Sequence, residues 1–283
     1  MAKKKTKIAI AYDFDGTLSQ GNMQEHTFIP ALGVNKQDFW AENREIIKKH
    51  DMNEILGYMQ LMLKKAGEKG VKITKQAFID HGKQITFFDG VQEYFGKINE
   101  YAKSKGLVIE HYIISSGLRD ILKGTKIHKH FKVVYASSYK YDQNDVAEWP
   151  ALAIDYTSKT QFLFRINKGI QNAWDNSEIN KFHKEEDRAM PFARMIYLGD
   201  GETDVPAMKM VTYQGGTAIA VFNPNQRTNA GKKSKKVCQE LVTQKRANFI
   251  AAADYTEGSD LYKIIQLSID KIAAEVELKN YAK

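Results

Sequence analysis

Five short apolar runs recur along the chain, and their spacing leaves room for helices between several of them. The runs are KIAIAY at 7–12, HYIISS at 111–116, KVVYAS at 132–137, RMIYLGD at 194–200 and TAIAVF at 217–222. A short strand that is apolar at nearly every position is buried on both faces, as in a parallel sheet covered by helices. Strands that alternate with helices in this way predict an α/β protein with a doubly wound parallel sheet.

The connection between the first and second runs is far longer than one crossover helix requires. The segment 90–106 already has an apolar face at helical spacing and supplies that helix. Residues 19–88 precede it and carry two further helical faces, formed by Phe39, Asn43, Ile46, Ile47 and His50 and by Ile55, Met59, Met62 and Leu63. We therefore expect an inserted α-helical cap at 19–85, and a core formed by 1–18 and 86–283. Because the insert leaves the core directly after an acidic turn, it is placed to close over that turn as a lid.

The acidic turn lies in AYDFDGTLSQG at 11–21, where Asp13 and Asp15 follow the first apolar run. In a doubly wound sheet the ligand binds beyond the carboxyl ends of the strands, which is where both carboxylates fall. One carboxylate can attack an electrophile while the other transfers protons. The competing interpretation is an ordinary strand-to-loop turn, since Asp and Gly are common in turns.

Residues that suit phosphoryl transfer stand near the ends of other predicted elements. Such a reaction requires neutralisation of the phosphate oxygens, usually by Mg²⁺ and a lysine. Ser115 lies near the end of the second run, and Asp200 ends the fourth. Asp204 follows four residues later, and Lys159 begins a helical pattern. Glycines that would let the backbone approach and donate to an anion are Gly16, Gly117, Gly199 and Gly201.

Three of these assignments have a competing residue or role. Ser116 is an alternative hydroxyl donor to Ser115, which we prefer because it ends the apolar stretch. Lys168 is an alternative to Lys159, which we prefer because it stands at the start of the helix. Asp204 is also suited to a structural role at the start of a helix.

The four segments, in order, are DFDGTL, the run that ends in Ser115, Lys159 with its helical pattern, and GDGETD. They resemble the four motifs of the haloacid dehalogenase-like (HAD) hydrolase superfamily. The closest likeness is to its phosphoserine-phosphatase-like branch, whose helical cap also lies between the first and second motifs. The resemblance covers residues 7–225 and implies a Rossmann-like core. Four motifs in order are a far more specific match than one.

The resemblance implies a role for each matching residue. Asp13 would attack phosphorus to form an aspartyl phosphate, and Asp15 would protonate the leaving oxygen and then deprotonate the hydrolytic water. Mg²⁺ would be held by Asp13, the Asp15 carbonyl and Asp200, and Asp204 would position a metal-bound water or orient Lys159. Residues implied to hold the phosphoryl oxygens are Gly16, Ser115, Ser116, Gly117 and Lys159.

One further position narrows the type of reaction, and others depart from the pattern of the branch. An aspartate at position 15 favours hydrolysis or phosphomutase transfer over dehalogenation. Asn22 stands where the branch has a cap glutamate, Glu25 is nearby but out of register, and Arg119 is placed to meet an anionic group. These departures concern serine recognition rather than phosphate chemistry. The expected function is a Mg²⁺-dependent phosphatase acting on a small phosphorylated metabolite; the alternatives are a phosphotransferase or phosphomutase, or a nucleic-acid end phosphatase.

Composition limits partners and location. The net charge is +8, and much of the excess lies in basic patches at 3–7 and 232–236, which we interpret as solvated faces. Aromatic residues do not interleave with these lysines, so nucleic-acid binding is not expected. No apolar stretch is long enough to cross a membrane. The single cysteine, Cys238, is expected to be a solvated thiol, and with no export signal it suggests a cytoplasmic protein.

Overall fold

One sheet organises the part of the chain that the computed structural model describes, residues 6–281 apart from the side chains at 186, 202 and 280. The strands are β1 (Thr6–Tyr12), β2 (Leu107–Leu118), β3 (Phe131–Tyr141), β4 (Ala147–Leu152), β5 (Met195–Gly199), β6 (Thr217–Phe222) and β7 (Phe249–Ala252). Their order across the sheet is β4-β3-β2-β1-β5-β6-β7. All neighbouring pairs are parallel except β3 and β4, which form an antiparallel hairpin. All five apolar runs lie in strands, which confirms the predicted α/β sheet.

The helices lie in an insertion and on both faces of the sheet. They are α1 (Met23–His26), α2 (Phe28–Ala31), α3 (Lys36–His50), α4 (Glu54–Lys69), α5 (Lys75–Gly82), α6 (Val91–Ser104), α7 (Arg119–Gly124), α8 (Ser158–Lys168), α9 (Val205–Tyr213), α10 (Asn229–Thr243) and α11 (Asp260–Tyr281). Helices α6 and α11 share one apolar core with Ile8, Ile10 and Tyr12 of β1. Helices α8, α9 and α10 share a second core with Ala9 and Ala11 of the same strand. Burial on both faces explains why β1 is apolar throughout.

Five helices, α1 to α5, lie between β1 and α6 within the described chain. The chain enters and leaves this insertion side by side, because Gln20 N–H donates to the Thr86 carbonyl at 3.2 Å and Phe88 N–H donates to the Leu18 carbonyl at 3.1 Å. Asn53 caps α4 by accepting from the N–H groups of two residues in its first turn. The helical character expected for this segment is confirmed.

The insertion packs on the core through two glycines, Gly82 of α5 and Gly124 of α7. A Cβ on Gly82 would lie 1.9 Å from the Ile121 carbonyl oxygen, and one on Gly124 would lie 1.8 Å from the Ile79 carbonyl oxygen. No side chain fits at such distances, so the two helices meet backbone to backbone. This contact fixes the position of α5 on the core.

Two expectations about the surface change in the structure. Cys238 is fully buried, so the expectation of a solvated thiol is wrong. It faces the sheet from α10, and its thiol donates to the Val221 carbonyl at 3.3 Å. The basic patch at 3–7 lies largely outside the described residues, although Lys7 forms an ion pair with Glu110 at 2.7 Å. Among the described residues, no helix has the length and apolar content needed to cross a membrane.

Candidate active site

A cavity of about 680 Å³ opens beyond the carboxyl ends of β1, β2 and β5. The loops after these strands form its floor, and the helical insertion and α10 form its outer wall. Predicted residues that line it are Asp13, Asp15, Gly16, Ser116, Gly117, Asp200 and Gly201. The structure therefore brings the acidic turn together with the ends of two other strands, as the sheet topology requires.

Lys159 lies behind the floor, between two carboxylates. Its Nζ is 3.1 Å from Asp13 Oδ1 and 2.7 Å from Asp204 Oδ1, and its side chain has no solvent exposure. Lys159 is the second residue of α8, so it is the first turn of this helix that contacts the residues after β1 and β5. The alternative, Lys168, lies at the other end of α8 and donates to the Glu178 and Lys181 carbonyls instead.

Asp204 is fully buried and its carboxylate is occupied by protein donors. Oδ1 accepts from Lys159 and from the Tyr197 hydroxyl at 2.7 Å, and Oδ2 accepts from the Asp200 N–H at 3.1 Å. Of the two roles considered for this residue, the arrangement favours orientation of Lys159. Its place at the start of α9 also holds the Asp200 backbone.

Asp15 is held where the insertion begins. Its Oδ1 accepts from the Met23 N–H at 2.9 Å and from the Ser19 hydroxyl at 3.4 Å. Met23 is the first residue of α1, so this hydrogen bond joins the first helix of the insertion to the Asp15 carboxylate. The insertion and the acidic turn are therefore directly coupled.

The two candidate serines face different surroundings. Ser115 is fully buried, and its Oγ accepts from the Gly117 N–H at 3.0 Å. Ser116 lines the cavity, and its Oγ has no hydrogen-bond partner among the described residues. The Ser116 carbonyl accepts from the Tyr58 hydroxyl of α4 at 2.7 Å. Ser116, which the sequence ranks second, thus has the free hydroxyl, while Ser115 supports the turn.

Gly16 allows β1 and β5 to bring their loops together. It has a φ of +73°, and a Cβ there would lie 2.1 Å from Asp200 Oδ2. Both the left-handed backbone and the close carboxylate exclude other residues without a shift. This explains the glycine in the acidic turn better than a general preference of turns for glycine.

The carboxylates of the floor repel one another. Burial and the Asp204 charge raise the pKa of Asp13 to about 7, although Lys159 opposes the shift. Burial and the Asp13 charge raise the pKa of Asp15, and burial with Asp13 and Asp204 raises that of Asp200. Burial alone disfavours the Lys159 ammonium, but Asp13 and Asp204 outweigh it and raise its pKa. The floor carries more negative charge than its one lysine neutralises.

A divalent cation fits this excess of charge. Carboxylate oxygens of Asp13, Asp200 and Asp204 all lie within 4.8 Å of one another. Hard oxygen donors of this kind are the ligands that Mg²⁺ prefers. Since Asp204 already accepts from three protein donors, Asp13 and Asp200 are the side chains best placed to hold an ion.

The outer wall contains residues that the sequence analysis did not assign to the site. Asn22, Gln24, Trp40, Asn43, Arg44, Glu54, Ile55 and Tyr58 come from the insertion, and Lys233, Ser234 and Val237 from α10. The predicted helical faces include Asn43 and Ile55, but helical spacing cannot indicate which end of a face meets a cavity. Arg119 lies elsewhere, in a separate depression with Lys75 and Lys123.

Glu25 does not take the place of the missing cap glutamate. Its carboxylate accepts from Lys36 at 3.1 Å, from Trp40 Nε1 at 2.9 Å and from Asn22 Nδ2 at 2.8 Å. The cavity wall receives the amide Asn22 instead. The wall therefore differs from that of the branch at the position that the sequence indicated.

Comparison with known proteins agrees with this fold and site. Residues 10–209 match the family model described as haloacid dehalogenase-like hydrolase. The chain is 28% identical to an uncharacterized protein of Borreliella burgdorferi (strain B31), over 95% of this chain and 99% of that one. This protein belongs to the haloacid dehalogenase-like hydrolases, which confirms the resemblance.

Two solved structures share the fold at low sequence identity. A HAD family hydrolase of Salmonella enterica serovar Typhi is 19% identical with a TM-score of 0.50, over 75% of this chain and 61% of its own length. A phosphoserine phosphatase, solved as a phospho-aspartyl intermediate analogue, is 16% identical with a TM-score of 0.52, over 93% of this chain and 99% of that one. The second likeness extends through the insertion as well as the core.

Proposed function

We propose that this hydrolase is a Mg²⁺-dependent phosphatase that cleaves a small phosphomonoester through an aspartyl phosphate on Asp13. The observation that carries the proposal is the position of Asp13, with a carboxylate at the cavity floor and a fully buried lysine 3.1 Å behind it. The lysine opposes the rise in the pKa of Asp13 that burial and Asp204 cause, and so favours the ionised form that a nucleophile requires. It also leaves the cavity side of the carboxylate open to a substrate.

Each floor residue has a distinct role in this reaction. Asp13 attacks phosphorus in line and displaces the alcohol, and Asp15 donates a proton to the leaving oxygen. Asp15 then accepts a proton from the water that hydrolyses the aspartyl phosphate. The raised pKa of Asp15 suits it to hold the first proton near neutral pH.

The phosphoryl oxygens require donors and a cation. The Ser116 hydroxyl and Lys159 are the donors near the floor that would contact the phosphoryl oxygens. The Gly16 N–H donates to the Ser19 carbonyl at 2.9 Å and the Gly117 N–H to Ser115 Oγ at 3.0 Å, so the two glycines let the backbone approach the phosphate and Ser115 supports the turn. Asp13, the Asp15 carbonyl and Asp200 would hold Mg²⁺, and Asp204 would orient Lys159 rather than bind the ion directly. When bound, the ion neutralises the charge that develops on the phosphoryl group.

We further propose that residues 19–85 act as a cap over a core formed by 1–18 and 86–283. Paired connections at Leu18–Gln20 and Thr86–Phe88 support these boundaries. The cap supplies most of the outer wall and encloses a substrate of metabolite size, with the reacting atoms shielded from water.

The proposal is tested by hydrolysis of p-nitrophenyl phosphate with and without Mg²⁺. Asp13→Asn should abolish turnover while the variant stays folded, because the amide cannot attack phosphorus. Asp38→Asn, which changes an exposed aspartate of α3, is the matched control and should keep full activity. Turnover that persists in Asp13→Asn, or that does not require a divalent ion, would refute the mechanism. Transfer of phosphate to an added alcohol instead of water would favour the phosphotransferase alternative.

A further inference from the structure

Two cations of the outer wall take no part in the chemistry of the floor. Arg44 comes from α3 in the insertion, and Lys233 comes from α10 in the core. Lys233 belongs to the basic patch at 232–236, which the sequence suggested to be only a solvated face. The two residues thus bring positive charge to one cavity from opposite parts of the chain.

Neither cation is paired with an acidic side chain of the described residues. Both side chains are exposed, and neither has an ion-pair partner among the described residues. Two lysines close to this wall are paired by contrast, since Lys36 meets Glu25 at 3.1 Å and Lys65 meets Glu42 at 2.7 Å. Arg44 and Lys233 therefore remain available to an anion that enters the cavity.

The scissile phosphoryl group does not need these two cations. In the proposed mechanism the scissile phosphoryl group would be neutralised at the floor, by Lys159 beside Asp13 and by the divalent ion that Asp13 and Asp200 would hold. The cavity volume of about 680 Å³ is also far larger than one phosphoryl group requires. Space and positive charge are left for a second anionic group of the same molecule.

We propose that the substrate carries a second anionic group, remote from the scissile phosphate, that binds to Arg44 and Lys233. This inference rests on the proposed phosphatase function and names its substrate class, a phosphomonoester with a further carboxylate or phosphate. Arg44 offers a planar guanidinium that can pair with two oxygens, and Lys233 offers a point charge. Because one residue lies on the insertion and the other on the core, the second anion also links the two.

Glu54 is a negatively charged residue of the same wall, and its removal should have the opposite effect to removal of Arg44 or Lys233. It lines the same wall from the first position of α4, is exposed, and has no ion-pair partner among the residues described. Its carboxylate repels a second anion, so its removal should strengthen the preference for such substrates. An effect in the other direction would contradict the assignment of the wall.

The experiment compares matched substrates that differ by one anionic group. The pairs are glycerol 1-phosphate with 3-phosphoglycerate, which adds a carboxylate, and glucose 6-phosphate with glucose 1,6-bisphosphate, which adds a phosphate. In at least one pair, the member with the additional anionic group should have a kcat/KM about 10-fold higher than the other member. The pair that shows this difference identifies the second group as a carboxylate or a phosphate. Arg44→Gln and Lys233→Gln should each reduce that preference about 10-fold, mainly through KM, and Glu54→Gln should increase it.

Matched controls separate this site from general electrostatic attraction. Lys48→Gln on α3 and Lys236→Gln on α10 remove equal charge from exposed positions outside the cavity wall, and should leave the preference unchanged. Equal losses for both members of a pair in Arg44→Gln and Lys233→Gln would overturn the inference, because the cations would then serve the common phosphate. Hydrolysis of p-nitrophenyl phosphate without any preference within the pairs would also overturn it. Absence of p-nitrophenyl phosphate hydrolysis would instead count against the proposed function.

Discussion

At the floor of the cavity the ammonium group of Lys159 forms ion pairs with two carboxylates. Lys159 contacts both Asp13 and Asp204 and is fully buried, while Asp200 lies nearby with a raised pKa. A buried charge is tolerated only when it is paired and hydrogen-bonded, and Lys159 meets this condition from both sides. Asp15 and Asp200 have no cationic partner among the described residues, so the floor keeps an excess of negative charge. A divalent cation would neutralise this excess, which is the basis of the proposed Mg²⁺ dependence.

Gly16 offers a sharp test at the scale of one residue. Gly16→Ala should lower kcat/KM about 100-fold, because the new methyl group would lie 2.1 Å from Asp200 Oδ2 and must displace that carboxylate. Gly33→Ala is the control, since Gly33 has a similar φ of +67° but a Cβ added there would meet no atom within 4 Å. Both variants should lose about 1–2 kcal/mol of unfolding free energy from backbone strain, measured by urea denaturation. Equal activity in the two variants would show that the Asp200 contact is unimportant.

At the scale of secondary-structure elements, the close packing of α3 against α4 depends on Gly57. A Cβ on Gly57 would lie 2.4 Å from Ile47 Cγ2 and 2.8 Å from Asn43 Oδ1, whereas one on Gly67 of the same helix would meet nothing within 4 Å. Gly57→Ala should therefore destabilise the protein by about 1–3 kcal/mol through overpacking. Gly67→Ala should stabilise it by about 0.5–1 kcal/mol, because alanine favours a helix more than glycine does.

Urea unfolding of both glycine variants tests this pair, with activity as a second measurement. Asn43 and Arg44 lie on α3 beside the crossing and line the cavity. Gly57→Ala should accordingly raise KM as well as lower stability, while Gly67→Ala should leave KM unchanged. A loss of stability in both variants would show that close approach of the helices is not what selects Gly57.

The pH dependence of stability belongs to the whole molecule, and His111 makes one contribution to it. His111 is buried on β2, with Nδ1 3.0 Å from the Tyr12 hydroxyl and Nε2 3.0 Å from Asn99 Oδ1. Burial, with a smaller effect of His130, lowers the pKa of His111 to about 3, below its ordinary value of 6.5. Between these values the unfolded chain binds a proton at His111 that the folded protein excludes, so the contribution of His111 to stability falls as the pH falls. The raised pKa values of Asp13, Asp15 and Asp200 act in the opposite direction.

The expected slope in this window is about 1.4 kcal/mol per pH unit from this one group. His111→Gln removes this titration, so the gain in its unfolding free energy per unit rise in pH, measured by urea denaturation, should be lower by about that amount across the same window. The variant should also be less stable near neutral pH, because glutamine does not reproduce the hydrogen bonds of the His111 ring to Tyr12 and Asn99. An unchanged slope would show that His111 is charged in the folded protein.

The fold was largely predictable from the sequence, and the site only in part. Runs such as KIAIAY are apolar at nearly every position because both faces of β1 are covered, and this pattern needs no coordinates to interpret. The floor follows in the same way, because parallel strands end at one edge of the sheet. The wall was not predictable, because Arg44 and Lys233 meet only through the packing of α3 and α10 around one cavity. Cys238 was wrongly assigned to the surface because a basic run gives no information about which face of a helix is buried.

The burial of Cys238 provides the protein with its own reporter group. The thiol lies between α10 and the sheet, 3.6 Å from the Asp200 carbonyl, with Lys233 earlier on the same helix. A thiol-reactive dye reaches it only when α10 lifts away, so the labelling rate measures how often that edge of the cleft opens. Mg²⁺ with beryllium fluoride, a mimic of the phosphoryl group, should hold Asp200 in place and slow labelling. Opening of the cavity beside α10 can therefore be followed in the native chain without an engineered probe.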